Sequence, residues 1–501
     1  MSELVLEDQS KLPSGWSFSI IEDIISDSGL FVDGDWVESK DQDPDGDVRL
    51  TQLADIGVNT FKNKSNRFMT IKKTNDLNCT FLQKNDVLVA RMPDPLGRAC
   101  LFPEFDQKCV TVVDVAIIRI GKNGCNPKWL MYMINSPLIQ SKIFKLQSGT
   151  TRKRISRKNL SKILFQIPPI DEQKRIVEKI EELFLEIDYI KKILENNKLQ
   201  LKQYVKSLLE FTSKGKFTQL CRQEHEHDVE SELSIFREFK NKTSKIDSKL
   251  ISEIHENNLK LHVIPKTWKW VRLGFLSKLI TKGASPKWQG IDYVDDGILF
   301  ITSENVGTGQ ILLKKPKFLE KKFNEIQKRS ILQKGDILTN IVGASIGRTA
   351  IYDLDDNANI NQAVSLIRTF DEVNRKYIQH ILNSQFVLDY MNLEKVDVAR
   401  ANLSLQNVSD FPIPLPPLKE QEQIISKIEQ GLSLIKNAEN ITDSILFQLD
   451  TLQGSILKQA FEGKLVPQDP NDEPVEILLQ KMKLKKQQLK QKVKKRNKNV
   501  K

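Results

Sequence analysis

Residues 167–184, IPPIDEQKRIVEKIEELF, and residues 415–432, LPPLKEQEQIISKIEQGL, are two versions of one stretch. In each, a Pro-Pro pair stands before what reads as a helix start, a Glu-Gln follows, and an apolar stripe begins. Proline just ahead of a helix is tolerated because first-turn N–H groups have no intrahelical partner. Asp171 favours a helix N-terminus electrostatically. Beyond it, Ile176, Ile180, Leu183, Ile187, Ile190, Leu194, Leu201 and Leu208 follow in alternating steps of four and three, with Asn197 and Tyr204 filling the gaps. That is a heptad seam. The second copy repeats it through Ile424, Ile428, Gly431, Ile435, Ala438, Thr442, Ile445, Leu449, Leu452 and Ile456. Its small residues predict close helix approach.

The repetition extends outward from the junctions. KLPSGWSFSIIEDI from Lys11 answers VIPKTWKWVRLGFL from Val263, aligning Trp16 with Trp268. LQKNDVLVARMPDPLGRACLF from Leu82 answers LQKGDILTNIVGASIGRTAIY from Leu332, and SLLEFTSKGKF from Ser207 answers SILKQAFEGKL from Ser455. Each copy is far longer than a solenoid unit, which implies a pseudo-twofold chain of two domain-sized halves. Short β-branched runs such as DVLVAR and GDILTNIV, broken by turn residues, predict a mixed α/β globule ahead of each helix. The expected organisation is a globule over 1–166, a helix over 167–217, a polar helical connector over 218–262, a second globule over 263–414, a second helix over 415–465 and an extension over 466–501.

Composition narrows the function. No apolar run is long enough to span a membrane. The N-terminal residues do not read as a secretory signal. Five scattered cysteines (Cys79, Cys100, Cys109, Cys125, Cys221) form no zinc spacing and suggest reduced thiols in a cytoplasmic protein. The formal charge of +11 comes entirely from residues 481–501, which hold eleven Lys or Arg and no acid. Local clusters must therefore carry any nucleic-acid reading.

Catalytic signatures fail one by one. GASIGRTA (343–350) has the wrong spacing for a phosphate loop and ends in Arg348, not Lys. DQDPDGDVRLTQ (41–52) opens like a calcium loop but ends in Gln52, not the bidentate Glu. HEHD (225–228) lacks the spacing that sets two imidazoles on one helix face. Both Pro-Pro pairs are flanked by Ile or Leu, unlike the Asn/Asp-Pro-Pro-aromatic loop of amino-methyltransferases, and no glycine-rich dinucleotide signature accompanies them.

Recognition remains. SGTTRKRISRKNLSK (148–162) carries six basic residues and no acid among hydroxyls, a composition suited to phosphate contacts. Thr150, Thr151, Arg152, Lys153, Arg154, Ser156 and Arg157 are its candidate DNA-binding residues. In the weaker second copy, VARANLSLQN, Arg400 and Ser404 answer Arg152 and Ser156. Arg91, Arg98, Asn340 and Arg348, from the repeated strand motifs, complete the set. No residue is assigned to catalysis, a cofactor or a metal.

From about Leu12 to Val475 the chain resembles the specificity (S) subunit of type I restriction-modification systems. The resemblance rests on LPSGW, DPDGDVRLTQLADIG, KNDVLVAR, SGTTRKRIS, the two Pro-Pro junctions, GDILTNIVGASIGRTAIY and SILKQAFEGKLVPQDPNDEP. It implies two target recognition domains, each reading half of a bipartite asymmetric double-stranded DNA site, separated by two long antiparallel coiled-coil helices that set their spacing. It also implies docking of two methylase (M) subunits that bring S-adenosylmethionine, and of motor-nuclease (R) subunits that use ATP and magnesium. A structural coiled-coil adaptor would share the seam but would not need the basic stretch.

Overall fold

The computed structural model describes residues 12–122, 124–150, 152–224, 229, 233–234, 237–238, 261–393 and 402–498. The chain forms two compact units, one of residues 1–194 with 444–501, the other of residues 195–443. Each unit holds one α/β domain and one end of each long helix.

The two domains are built alike. In the first, a four-stranded antiparallel sheet runs in the order Leu30–Asp33, Val115–Arg119, Val87–Ala90, Ala99–Leu101. In the second, the order is Ser277–Lys282, Val364–Thr369, Ile337–Asn340, Thr349–Ile351. A smaller sheet in each contains one parallel pair, Val48–Thr51 with Cys109–Thr111 and Ile298–Ile301 with Ala358–Ile360. The central strands Val87–Ala90 and Ile337–Asn340 are buried along their whole length; the first is a continuous apolar run, while the second buries Thr339 and Asn340 with hydrogen-bond partners.

The repeated LQK-Asn/Gly-Asp motif has a physical basis. Asn85 (φ +70°) and Gly335 (φ +95°) take the left-handed turn position that Gly and Asn tolerate best. The Asp that follows is buried and accepts two hydrogen bonds from a sheet arginine. Asp86 pairs with Arg119 at 2.7 and 2.7 Å, and Asp336 with Arg368 at 2.7 and 2.7 Å.

The long helices span Ile170–Ser213 and Leu418–Phe461, 44 residues each, or about 66 Å. In the first unit Ile176, Ile180 and Ile187 pack with Ile456, Leu457 and Phe461 around Trp129 of the domain. In the second, Leu209, Ile424 and Ile428 surround Tyr377 and Ile378. Pairing is antiparallel: within the second unit Lys198 bonds Asp443 at 2.6 Å, while a Cβ on Gly431 would lie 3.0 Å from Leu208.

The seam differs from the expected one in the middle of the first helix. Ile190 and Tyr204 are 41% and 63% exposed, and Asn197 is exposed. Lys191, Lys198 and Val205 take the inward positions instead. Lys191 reaches Asp450 (2.6 Å) and Gln453 (3.3 Å) on the second helix, where Leu452 is left outside. A straight helix drifts against a strict 3.5-residue repeat, and lysine can lay its stem on the seam while its ammonium finds a carboxylate.

The GK turn that ends each long helix docks on the N-terminal segment of a domain. Gly463 (φ +71°) would place a Cβ 2.3 Å from Pro13, and Gly215 (φ +65°) 2.7 Å from Pro265. Val475 then donates its N–H to Gly15 O (3.0 Å), and Val229 to Thr267 O (3.4 Å). Both valines are buried, as is Leu233. The start of the C-terminal helix Val475–Lys498 thus has a counterpart inside the segment read as a connector, most of which lies outside the described residues. Among the described residues no helix is long and apolar enough to cross a membrane, and no His/Cys/Asp/Glu group is placed to hold a metal ion.

Candidate nucleic-acid interface

The Pro-Pro-x-x-Glu-Gln junction is a lock between helix and domain. Trp16 Nε1 donates to Glu172 Oε2 at 2.9 Å, and Trp268 Nε1 to Glu420 Oε2 at 2.9 Å. Gln173 accepts from Asn126 N (2.8 Å) and donates to Pro168 O (2.9 Å); Gln421 does the same with Asn374 N (3.3 Å) and Pro416 O (2.9 Å). Asn126 and Asn374 each cap the helix that follows. The two carboxylates are not equally served. Glu420 also receives Thr218 Oγ1 and Arg222 Nη1, whereas Glu172 Oε1 is buried with no partner among the described residues. Burial accordingly raises the Glu172 carboxyl above its ordinary value, against the Trp16 bond that lowers it.

The basic stretch forms a small hairpin. Ser148 and Arg154 exchange N–H···O bonds of 2.8 and 2.8 Å. Gly149 has φ +96°, and a Cβ there would sit 2.3 Å from Arg152 O. Ile155, fully buried, anchors the hairpin in the core. Its N–H donates to Arg91 O (3.1 Å), and Arg91 Nε donates to Ile155 O (3.2 Å). Ser156 caps the helical turn Arg157–Leu160 by accepting from Asn159 N at 3.1 Å. The side chains left outward are Thr150, Arg152, Lys153 and Arg154, with Lys153 Nζ 5.5 Å from the Phe144 ring centre. A cleft of about 810 Å³ opens beside them, with Gly149, Thr150, Arg152 and Arg154 on its lining together with Trp36 and Met92.

Arg91 and Arg157 share Asp33: Arg91 pairs with it directly, and Arg157 Nε lies 3.3 Å away while its Nη1 donates to Phe31 O at 2.8 Å. Arg157 remains about half exposed; Arg91 does not. Ser404 caps Leu405–Ser409 just as Ser156 caps its turn. Arg98 and Asn340 point inward and are not on the surface that a DNA contact requires. Arg98 is 6% exposed and donates to the carbonyls of Ile56 (2.6 Å), Leu53 (2.8 Å), Pro95 (2.8 Å) and Met92 (3.1 Å). Asn340, fully buried, donates to Ser303 O and Val306 O (2.9 and 3.3 Å). Arg348 is exposed. Thr151 and Arg400 lie outside the described residues. The exposed Trp36 is not among the sequence candidates, because nothing in its neighbours DWVES distinguishes a surface tryptophan from a core one.

Residues 13–199 and 265–446 match the family model described as "Type I restriction modification DNA specificity domain". The chain is 29% identical to the Type I restriction enzyme EcoBI specificity subunit of Escherichia coli over 71% of its own length and 69% of that protein. It is 22% identical to the MjaVIII specificity subunit of Methanocaldococcus jannaschii, over 67% of this chain and 70% of the relative. Among solved structures, a chain of a type I R-M system aligns with TM-score 0.61 and 17% identity, over 90% of this chain and 99% of that one. The HsdS subunit of Thermoanaerobacter tengcongensis aligns with TM-score 0.53 and 16% identity, over 90% and 98%. These structural likenesses concern the fold.

Proposed function

The chain belongs to the type I restriction modification DNA specificity family, and from that premise we propose a division of labour along it. Each α/β domain reads one half of a bipartite, asymmetric site in double-stranded DNA. The length of the paired helices sets the number of base pairs between the halves. The chain performs no bond-making step of its own. Methylase subunits dock on it and supply S-adenosylmethionine and adenine methylation. Motor-nuclease subunits add ATP- and magnesium-dependent translocation and cleavage.

The observation that carries the reading is the basic hairpin 148–154, held by a buried Ile155 and open on a cleft, in a chain whose domain and junction occur twice. Its exposed guanidinium and ammonium groups suit phosphates, which position a protein on the duplex, while the cleft walls are left to read base edges. Coexpression of the chain with its cognate methylase subunits is expected to give methylation at one bipartite sequence, and the chain alone no turnover. Methyl transfer or nuclease activity by the purified chain, or a methylation pattern indifferent to its presence, would contradict the proposal.

A further inference from the structure

Two tryptophans stand out of the protein surface, Trp36 at 71% exposure and Trp288 at 83%. A lone exposed apolar side chain is common and carries nothing by itself. Their placement does. Trp36 follows strand Leu30–Asp33 and Trp288 follows strand Ser277–Lys282, and these are the matching edge strands of the two four-stranded sheets. Each strand is followed by a glycine pressed on the end of the same neighbouring strand: a Cβ on Gly34 would lie 2.7 Å from Thr111 O and 2.2 Å from Val112 O, and one on Gly283 1.7 Å from Ile360 O and 2.9 Å from Asn361 O. The two loops therefore leave the sheet at one point of the fold under one constraint. Their sequences then share nothing, DWVESKDQD (35–43) against ASPKWQGIDYV (284–294), except that each sends out one indole.

The surroundings fit a nucleic acid. Trp36 lines the cleft that also takes Gly149, Thr150, Arg152 and Arg154. Among the described residues its Nε1 has a long bond to Glu38 (3.4 Å). Trp288 sits in a single turn, Lys287–Gln289, and Gly290 (φ +66°) ends that turn with open space around it. A planar ring beside a groove can pack on sugars and on base edges such as the thymine methyl, which differ between base pairs, while phosphates are neutralised by the cations next to it.

We propose that Trp36 and Trp288 are specificity-determining DNA contacts, one for each half-site, each indole packing against nucleotides of the half that its own domain reads. The inference rests on the DNA-reading function proposed above.

The test is methylation-site mapping with the full chain and its methylase subunits, comparing Trp36→Ala, Trp36→Phe and Trp288→Ala with wild type. For Trp36→Ala the expected result is about tenfold or greater loss of preference at one or two positions of the first half-site, with the second half-site and the spacer unchanged. Trp36→Phe keeps most of the preference, and Trp288→Ala mirrors the loss in the second half-site. Thermal unfolding should be unmoved in all three, since the side chains are exposed; if the Ala variant is destabilised, Trp36→Leu against Trp36→Phe decides. Wild-type site preference in both Ala variants, or an equal loss at both half-sites from Trp36→Ala, would overturn the inference alone. A wild-type chain that fails to direct methylation to any bipartite site would instead overturn the underlying reading.

Discussion

In the first domain, the carbonyls of Leu53 and Ile56 are held by Arg98; in the second, the matching carbonyls of Ser303 and Val306 are held by Asn340. Arg348 stands in sequence where Arg98 does, and it is exposed. One structural task has been solved by two side chains at different positions, and in the second domain that releases an arginine to the surface. The junctions keep one device in both copies: the Trp16–Glu172 and Trp268–Glu420 bonds have the same length, although only Glu420 is also served by Thr218 and Arg222. The bond that fixes each domain to its helix is repeated; the arginine of the repeated motif is not kept in one place. This is the pattern expected if the two outward faces meet two different half-sites.

The two copies are expected to differ most at Arg98. Arg98→Ala leaves several carbonyls without a charged donor, and an unfolding-stability loss of about 3 kcal/mol is expected. Arg348→Ala should change stability by less than about 0.5 kcal/mol. Chemical denaturation of both variants checks this, and equal losses would erase the distinction between the copies. A second effect concerns affinity. Replacing Arg152, Lys153, Arg154 and Arg157 together by Ala should weaken DNA binding by the methylase-bound chain and lower the salt slope by about one for each phosphate no longer neutralised. An unchanged slope would make the hairpin a solvated loop. Arg157 is expected to contribute least, because Asp33 and Phe31 O already engage it.

The helices offer a geometric test. Four residues inserted after Asn197, matched by four after Asp443 on the antiparallel partner, add about 6 Å. That corresponds to one or two base pairs of DNA rise, and a four-residue insertion unwinds a coiled coil locally without breaking it. Mapped methylation sites should keep both half-sites and gain that many spacer base pairs. An active variant with the original spacer would reduce the helices to a docking surface.

The smallest expected effect separates the two junctions by pH. Burial raises the Glu172 carboxyl, so the folded chain holds that proton more tightly than the unfolded one. Its stability contribution is full below the ordinary carboxylate range and is lost as pH rises through the raised value. Glu172→Gln keeps an acceptor for Trp16 and should remove that part of the decline as pH rises above the ordinary carboxylate range. Thermal melts across that rise check it; an unaltered decline would remove Glu172 as its source.

Much of this architecture is legible in the sequence, for identifiable reasons. The Pro-Pro junctions and the repeated LQK-Asn/Gly-Asp motif are local devices, and their residue types follow from backbone requirements; Ser156 and Ser404, read as DNA contacts, are instead helix caps. The seam is legible where apolar side chains make it, at Ile176, Ile180 and Ile187. It is misread where Lys191 and Lys198 replace Ile190 and Asn197, because an ion pair to a distant helix leaves no apolar period. Arg98 and Arg348 carry the same letter in the same motif, and only burial separates them. The shared docking of Val475 and Val229 on the two domains is not legible because so few buried apolar residues set no pattern.

The independence of the two readers is most directly tested by exchanging residues 1–166 for the matching domain of a relative that modifies a different sequence. Methylation mapping of the chimera, assembled with methylase subunits, should show a new first half-site, the original second half-site and the original spacer. Alteration of both half-sites together, or of the second alone, would contradict the account.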